Sequence, residues 1–122
     1  MYLQLLQQEF ADDAAADIQF AGFKSYTLYK VQTSAAAWVT LYTNPATRSA
    51  DANRTITSDP ADGSGVIAEV VTSGAQTKLI TPATIGFNDD NPVTTTIYAK
   101  VENKSGGSAN INVTLTILQL ET

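Results

Sequence analysis

Residues 93–120 read VTTTIYAKV, then ENKSGGS, then ANINVTLTILQL, and this stretch decides the fold class. On the second arm Ile111, Val113, Leu115 and Ile117 alternate with Asn110, Asn112, Thr114 and Thr116. On the first arm Val93, Ile97, Ala99 and Val101 alternate with Thr94, Thr96, Tyr98 and Lys100. A period of two sends successive side chains to opposite faces of a strand. Asn103–Ser108 supplies turn chemistry between the arms. The pattern predicts a β-hairpin with one face on a core and the other in water.

Working outward, Ser25–Thr33 (SYTLYKVQT) is rich in aromatic and β-branched residues and reads as a strand. Trp38–Thr43 (WVTLYT) reads as another, with Val39 and Leu41 on one face and Trp38, Thr40 and Tyr42 on the other. Val66–Val71 and Gln76–Thr81 are two more, joined by a turn at Ser73–Ala75. Asn44–Gly65 holds Asn44-Pro45, Asp59-Pro60 and the run DGSG at 62–65, so turn formers dominate. It is expected to be a long loop with one helical turn near Ala46–Ala52. Pro82–Pro92 is expected to be a second loop. Tyr2–Phe10 reads as an extended arm or edge strand, and Ala11–Asp17 as an acidic connector or short helix. The sum is an all-β, single-domain antiparallel β-sandwich or jelly roll of seven or eight strands with an N-terminal arm. Residues 1–21 form the arm and connector, and residues 22–122 the β-sandwich domain.

The chain has 122 residues, which suits one domain with a single core. Charged residues are only 16%, so the polar surface is expected to be mostly Thr, Ser, Asn and Gln. The net charge is −5, and the five lysines with Arg48 and Arg54 are scattered. No basic footprint for nucleic acid exists, and an acidic surface disfavours anionic membranes. There is no cysteine and no histidine. That removes thiolate chemistry, the commonest general base and the commonest transition-metal ligand. Met1–Phe10 lacks a basic segment and a continuous apolar run, so no signal peptide is read there.

Asn88-Asp89-Asp90-Asn91 offers oxygens that suit Ca²⁺, but without the spacing of an EF-hand. The favoured reading is a loop whose side chains bond their own backbone. Residues 59–65 contain glycines but no GxxxxGK pattern, and read as a turn. Ser64 and Ser73 lack a GxSxG context and any histidine to activate them. Glu9 and Glu69 read as single outward carboxylates rather than a glycosidase pair. The sequons at Asn53, Asn103 and Asn112 are taken as chance matches. Arg48, Asp51 and Arg54 stand at i, i+3, i+6. They either form a salt-bridged cluster that orders the loop or meets a partner, or they are solvated.

Several segments together resemble small virion structural proteins of tailed bacteriophages. They are YTLYKVQTSAAAWVTLYT at 26–43, RSADANR at 48–54, Asp59-Pro60, GVIAEVV at 65–71, VENKSGG at 101–107 and VTLTILQLE at 113–121. The similarity covers most of residues 22–121. It implies a non-enzymatic decoration or cement protein that bridges neighbouring capsid subunits, in a virion assembled in the host cytoplasm. Its partners would be the major capsid protein or other virion proteins, and the chain would be a homo-oligomer, a trimer being favoured. No cofactor, nucleic acid or membrane is expected. The contact candidates are Tyr2, Leu3, Leu5, Leu6 and Phe10 on the arm, with Arg48 and Arg54. A tail, neck or fibre component is the alternative within the particle. A carbohydrate- or receptor-binding β-module, with residues 44–65 and 82–92 as its rim, is the alternative outside it. An exposed Trp38 would favour that module and a buried one would weaken it.

Overall fold

A computed structural model describes residues 2–121 and contains eight strands and one short helix. The strands are β1 (Tyr2–Phe10), β2 (Ala15–Ala21), β3 (Ser25–Thr33), β4 (Ala37–Tyr42), β5 (Val66–Val71), β6 (Gln76–Phe87), β7 (Thr96–Asn103) and β8 (Ala109–Glu121). The helix α1 (Pro45–Ala50) follows β4. They form two four-stranded sheets, ordered β1-β8-β3-β6 and β2-β7-β4-β5. All pairings are antiparallel.

The order has a simple origin. β1 pairs with β8, β2 with β7, β3 with β6, and β4 with β5. The chain is thus one long antiparallel ribbon doubled back at residues 43–65 and then rolled, so that β3 also meets β8 and β4 meets β7. This is the strand order of a jelly roll. The core between the sheets contains Phe10, Ile18, Phe20, Leu28, Val31, Val39, Leu41, Ile97, Ala99, Val101 and the β8 residues Ile111, Val113, Leu115 and Ile117. The alternation read on β8 holds, since those four side chains are at most 1% exposed.

The hairpin expected over residues 93–120 is not formed. β7 and β8 lie in opposite sheets, and residues 104–108 arch over the end of the sandwich. Alternation fixes which face of a strand is apolar. It does not say whether the next strand lies beside it or across the core, because inward side chains meet in either case. Asn103 sets the arch: its Nδ2 donates to Ala11 O at 3.0 Å and to Gly107 O at 2.8 Å, and its Oδ1 accepts from Ser105 N at 2.9 Å. Nor is the outer face of the first arm in water. Tyr98 and Lys100 are buried there beneath the 43–65 segment, and Val93 lies outside the strand.

Two further boundaries differ from expectation. Residues 82–87 belong to β6, with Thr84, Ile85, Gly86 and Phe87 paired to Leu28, Thr27, Tyr26 and Ser25. Pro82 is tolerated because β6 is an edge strand whose register shifts around it. Gly86 lies against the Tyr26 ring, where a Cβ would come within 2.5 Å of the phenol oxygen. At the other end of the chain, the expected arm is edge strand β1, paired residue for residue with β8 from Tyr2 to Phe10. Residues 15–21, expected as connector, form β2 on the edge of the second sheet. Both belong to the sandwich, and no boundary separates them from it. The expected helical turn is α1, started by Asn44, whose Oδ1 accepts from Thr47 N at 2.8 Å, with Pro45 in the first turn.

Asn103 is fully buried and Asn110 exposed on neighbouring segments. Asn103→Ala removes one donor each from Ala11 O and Gly107 O and takes the acceptor from Ser105 N, and is expected to cost about 1–3 kcal/mol in urea denaturation. Asn110→Ala should stay within about 0.5 kcal/mol.

Candidate functional site

The two outer faces of the sandwich are unlike. On the β2-β7-β4-β5 sheet, α1 and the following loop lie over Tyr42, Trp38, Thr40, Tyr98 and Lys100, all buried. The centre of that contact is Asp51. Its carboxylate accepts from Tyr42 Oη at 2.5 Å, from Arg54 Nε at 2.8 Å and from Arg54 Nη2 at 3.1 Å. Lys100 Nζ lies 3.9 Å from the carboxylate and donates to the Asp51 carbonyl at 3.0 Å. Arg54 also pairs with Glu69 at 2.7 Å and donates to Ser58 O at 2.8 Å. Arg54 and Lys100 both stand over the Trp38 ring, at 5.2 and 5.1 Å from its centroid.

Burial alone would raise the Asp51 pKa. The hydrogen bonds from Arg54 and Tyr42 and the charges of Arg54 and Lys100 outweigh it, and hold the carboxyl below its ordinary value. The Tyr42 phenol is pushed well above its ordinary value, by burial first and then by Asp51.

Arg48 and Arg54 therefore have partners within the chain. Arg54 joins Asp51, as a salt-bridged cluster that orders the loop requires. Arg48 turns the other way: it donates to Ile18 O at 3.1 Å and Ala99 O at 3.4 Å, stacks over Tyr98 at 5.2 Å and lies 3.5 Å from Asp17. Neither guanidinium is on offer to a partner in this arrangement. Phe10 is likewise committed, 4% exposed in the core, and Leu6 is half-buried. Tyr2 opens β1 opposite Ile117. Of the arm candidates, Leu3 and Leu5 point away from the core, at 70% and 63% exposure.

They do so on the other sheet, whose outer face no segment among the described residues covers in the same way. Seven of the nine large hydrophobics exposed among the described residues lie on its strands: Leu3, Leu5, Leu79, Ile85, Phe87, Leu118 and Leu120. The register sets them in rows. Leu118, Thr27 and Ile85 are neighbours across β8, β3 and β6. Leu3, Thr116, Lys30 and Leu79 make another row. Beyond Leu3 and Leu5, none of these was singled out from sequence. Leu118 and Leu120 were visible as leucines at the β8 positions where Asn and Thr otherwise stand.

A third feature is a cleft of about 400 Å³ where the sheets part between β5 and β6. Thr43, Thr47, Gly63, Gly65, Val66, Ile67, Ile85, Phe87 and Asp89 line it. It joins the two segments expected as a binding rim, and Asp89 N donates to Thr43 O at 2.8 Å between them.

The Asn88–Asn91 segment bonds to itself. Asn88 Oδ1 accepts from Asp90 N and Thr94 N, and its Nδ2 donates to Thr96 O at 2.8 Å. Asp90 Oδ2 accepts from Tyr98 Oη at 2.6 Å and Thr94 Oγ1 at 2.8 Å. The Tyr98 bond leads in holding the Asp90 carboxyl below its ordinary value. Among the described residues no three His, Cys, Asp or Glu are grouped so as to hold a metal ion. Glu69 is the ion-pair partner of Arg54, and Ser64 closes a turn onto Ala61 O. Compared with protein-family models, curated proteins and solved structures, the chain matches none.

Because its folded pKa lies below the unfolded one, Asp51 contributes its full stability above about pH 3.8 and loses it as the pH falls through the folded value. Asp51→Ala leaves buried Arg54 with Glu69 as its remaining carboxylate and takes the nearby carboxylate from buried Lys100. It is expected to cost roughly 3–5 kcal/mol at neutral pH. Urea denaturation from pH 7 to pH 3 should also show a flatter acid limb than in the parent.

Proposed function

We propose that this chain is a non-enzymatic structural protein of a tailed-phage virion, a decoration protein that seats on the capsid and bridges neighbouring subunits. The observation that carries the reading is the inequality of the two outer faces. One sheet is sealed by the chain's own loop around Asp51. The other presents seven exposed large hydrophobics on regular strands. A bare apolar sheet face on an otherwise polar domain marks a surface meant for another protein. The jelly roll is also an architecture in which capsid domains recur, a likeness of fold only. The sequence resemblance over residues 22–121 points the same way. The major capsid protein is the proposed partner and the assembled particle the proposed location.

In this reading Leu79, Ile85 and Leu118 meet the capsid surface. Each is exposed, so replacing it by aspartate leaves the core intact. The triple variant Leu79→Asp, Ile85→Asp, Leu118→Asp should keep the parent's circular dichroism and fail to co-sediment with capsids lacking the protein, while the parent binds them. Cryo-electron microscopy of the particle gives the position, and density confined to the tail or neck would replace the decoration reading with the tail-component one.

A receptor- or carbohydrate-binding module is favoured by one observation, the cleft with half-exposed Phe87 beside Asp89 and Thr47. Its aromatic wall is Phe87 rather than Trp38, which is 2% exposed and lies under Arg54 and Lys100. Saturation-transfer NMR against a glycan panel tests it. Contacts that vanish in Phe87→Ala would support the module, and their absence would dismiss it.

A further inference from the structure

The sandwich has four edge strands, β1 and β6 on one sheet and β2 and β5 on the other. An edge strand presents unpaired N–H and C=O groups, and proteins blunt such edges with charges, prolines, bulges or short length. Three of these four are blunted. β6 has Lys78 and Pro82, and its register shifts opposite Leu28/Lys30. β5 is six residues long, carries Glu69, and its register shifts where Val66 meets Tyr42. β2 has seven residues with exposed Asp17 beside its central Ile18.

β1 has the fewest of these devices, a single charge at Glu9 beside its C-terminal end. It runs nine residues, YLQLLQQEF, in unbroken register with β8. It has no proline, glycine or lysine, and no charge before Glu9. Leu3 and Leu5 stand exposed along it.

We infer that β1 is the pairing edge between two copies of this chain, joined antiparallel about a two-fold axis into one eight-stranded sheet. The occupant follows from the other edges. On a second copy, β6, β5 and β2 are each blunted, so the edge left to receive β1 is β1 itself. Like meets like only in a two-fold, isologous arrangement, which closes at two copies. The charges permit it. With the axis between Leu5 and Gln7, Glu9 and its counterpart lie at least four residues apart, about 13 Å at 3.3 Å per residue. That exceeds the screening length of about 8 Å at physiological salt. With the axis at Leu5 the two Leu5 side chains face each other and Leu3 stands opposite Gln7 of the second copy, and the apolar outer faces run on across the axis. This pairing does not depend on where, or whether, the protein sits on a particle.

The chain has no cysteine, so a single introduced one is a unique reporter. Leu3→Cys, Leu5→Cys, Gln7→Cys and Glu9→Cys scan the outward side of β1, with Thr77→Cys on β6 and Gln19→Cys on β2 as controls. Under mild oxidation the disulfide-linked dimer should be the major species at Leu5→Cys or Gln7→Cys, fall away toward both ends of β1, and be minor at the controls. Light scattering of the parent should give twice 13.0 kDa. Leu5→Lys should return the monomer mass with unchanged circular dichroism and a urea midpoint that no longer rises with protein concentration. A parent monomer at all working concentrations with equally low cross-linking everywhere overturns the inference. So does a trimer, or β1 cross-linking only to a different protein.

Discussion

The Asp51 carboxylate fixes the position of everything between β4 and β5. A ribbon rolled into two sheets has to turn somewhere, and here the turn takes the 23 residues from 43 to 65. A segment of that length, rich in Ala, Ser, Thr and Asp, has too little apolar surface to bind a sheet by burial alone. Its centre is held by an anion that accepts from Tyr42 on β4 and Arg54 in the loop and faces Lys100 on β7, and Arg48 adds bonds to Ile18 O and Ala99 O. Removing the Asp51 carboxylate takes a partner from Tyr42, Arg54 and Lys100 at once, while Arg54 keeps Glu69 and Ser58 O. Because the ties lie over Trp38, they also close the sheet face that would otherwise expose the largest aromatic in the chain.

Period-two alternation made the strands legible, and it was most dependable where a strand has one wet face. β8 reads directly from Ile111, Val113, Leu115 and Ile117 against Asn and Thr. β4 and β7 are harder, because the Asp51 assembly buries their second faces: Trp38, Thr40 and Tyr42 are as hidden as Val39 and Leu41. No local pattern announces that a loop far along the chain will cover a strand. β2 shows the opposite difficulty. Ile18 and Phe20 alternate with Asp17 and Gln19, but Ala14, Ala15 and Ala16 dilute the signal. The arch in place of the hairpin is the deepest miss. Turn residues such as Asn103 and Gly106 bend a chain equally well within a sheet or between sheets, and the choice depends on which strands already flank β7 and β8.

The candidate contact residues divide for the same reason. Type and spacing marked Arg48, Asp51 and Arg54 as a unit, yet type cannot say whether an arginine faces a partner or its own fold. Here both guanidiniums are turned inward, Arg48 to the Ile18 and Ala99 carbonyls and the Tyr98 ring, Arg54 to Asp51, Glu69 and the Trp38 ring. Leu3 and Phe10 stood together as arm residues, and the parity of the strand separates them, with odd positions outward and even positions toward the core.

Sealing one face and leaving the other bare has a consequence for assembly. If both outer faces were apolar, copies would stack without limit. If neither were, the domain would have no surface by which to attach. With β2-β7-β4-β5 closed by the Asp51 ties, apolar contact is confined to the opposite sheet. The proposed edge pairing falls in turn on β1 of that same sheet, since β6 is broken by Pro82 and Lys78. Both proposed contact features therefore belong to one layer of the sandwich. A two-fold through β1 would double the apolar face in a single continuous surface, rather than consuming it, and leave it free to meet a larger partner.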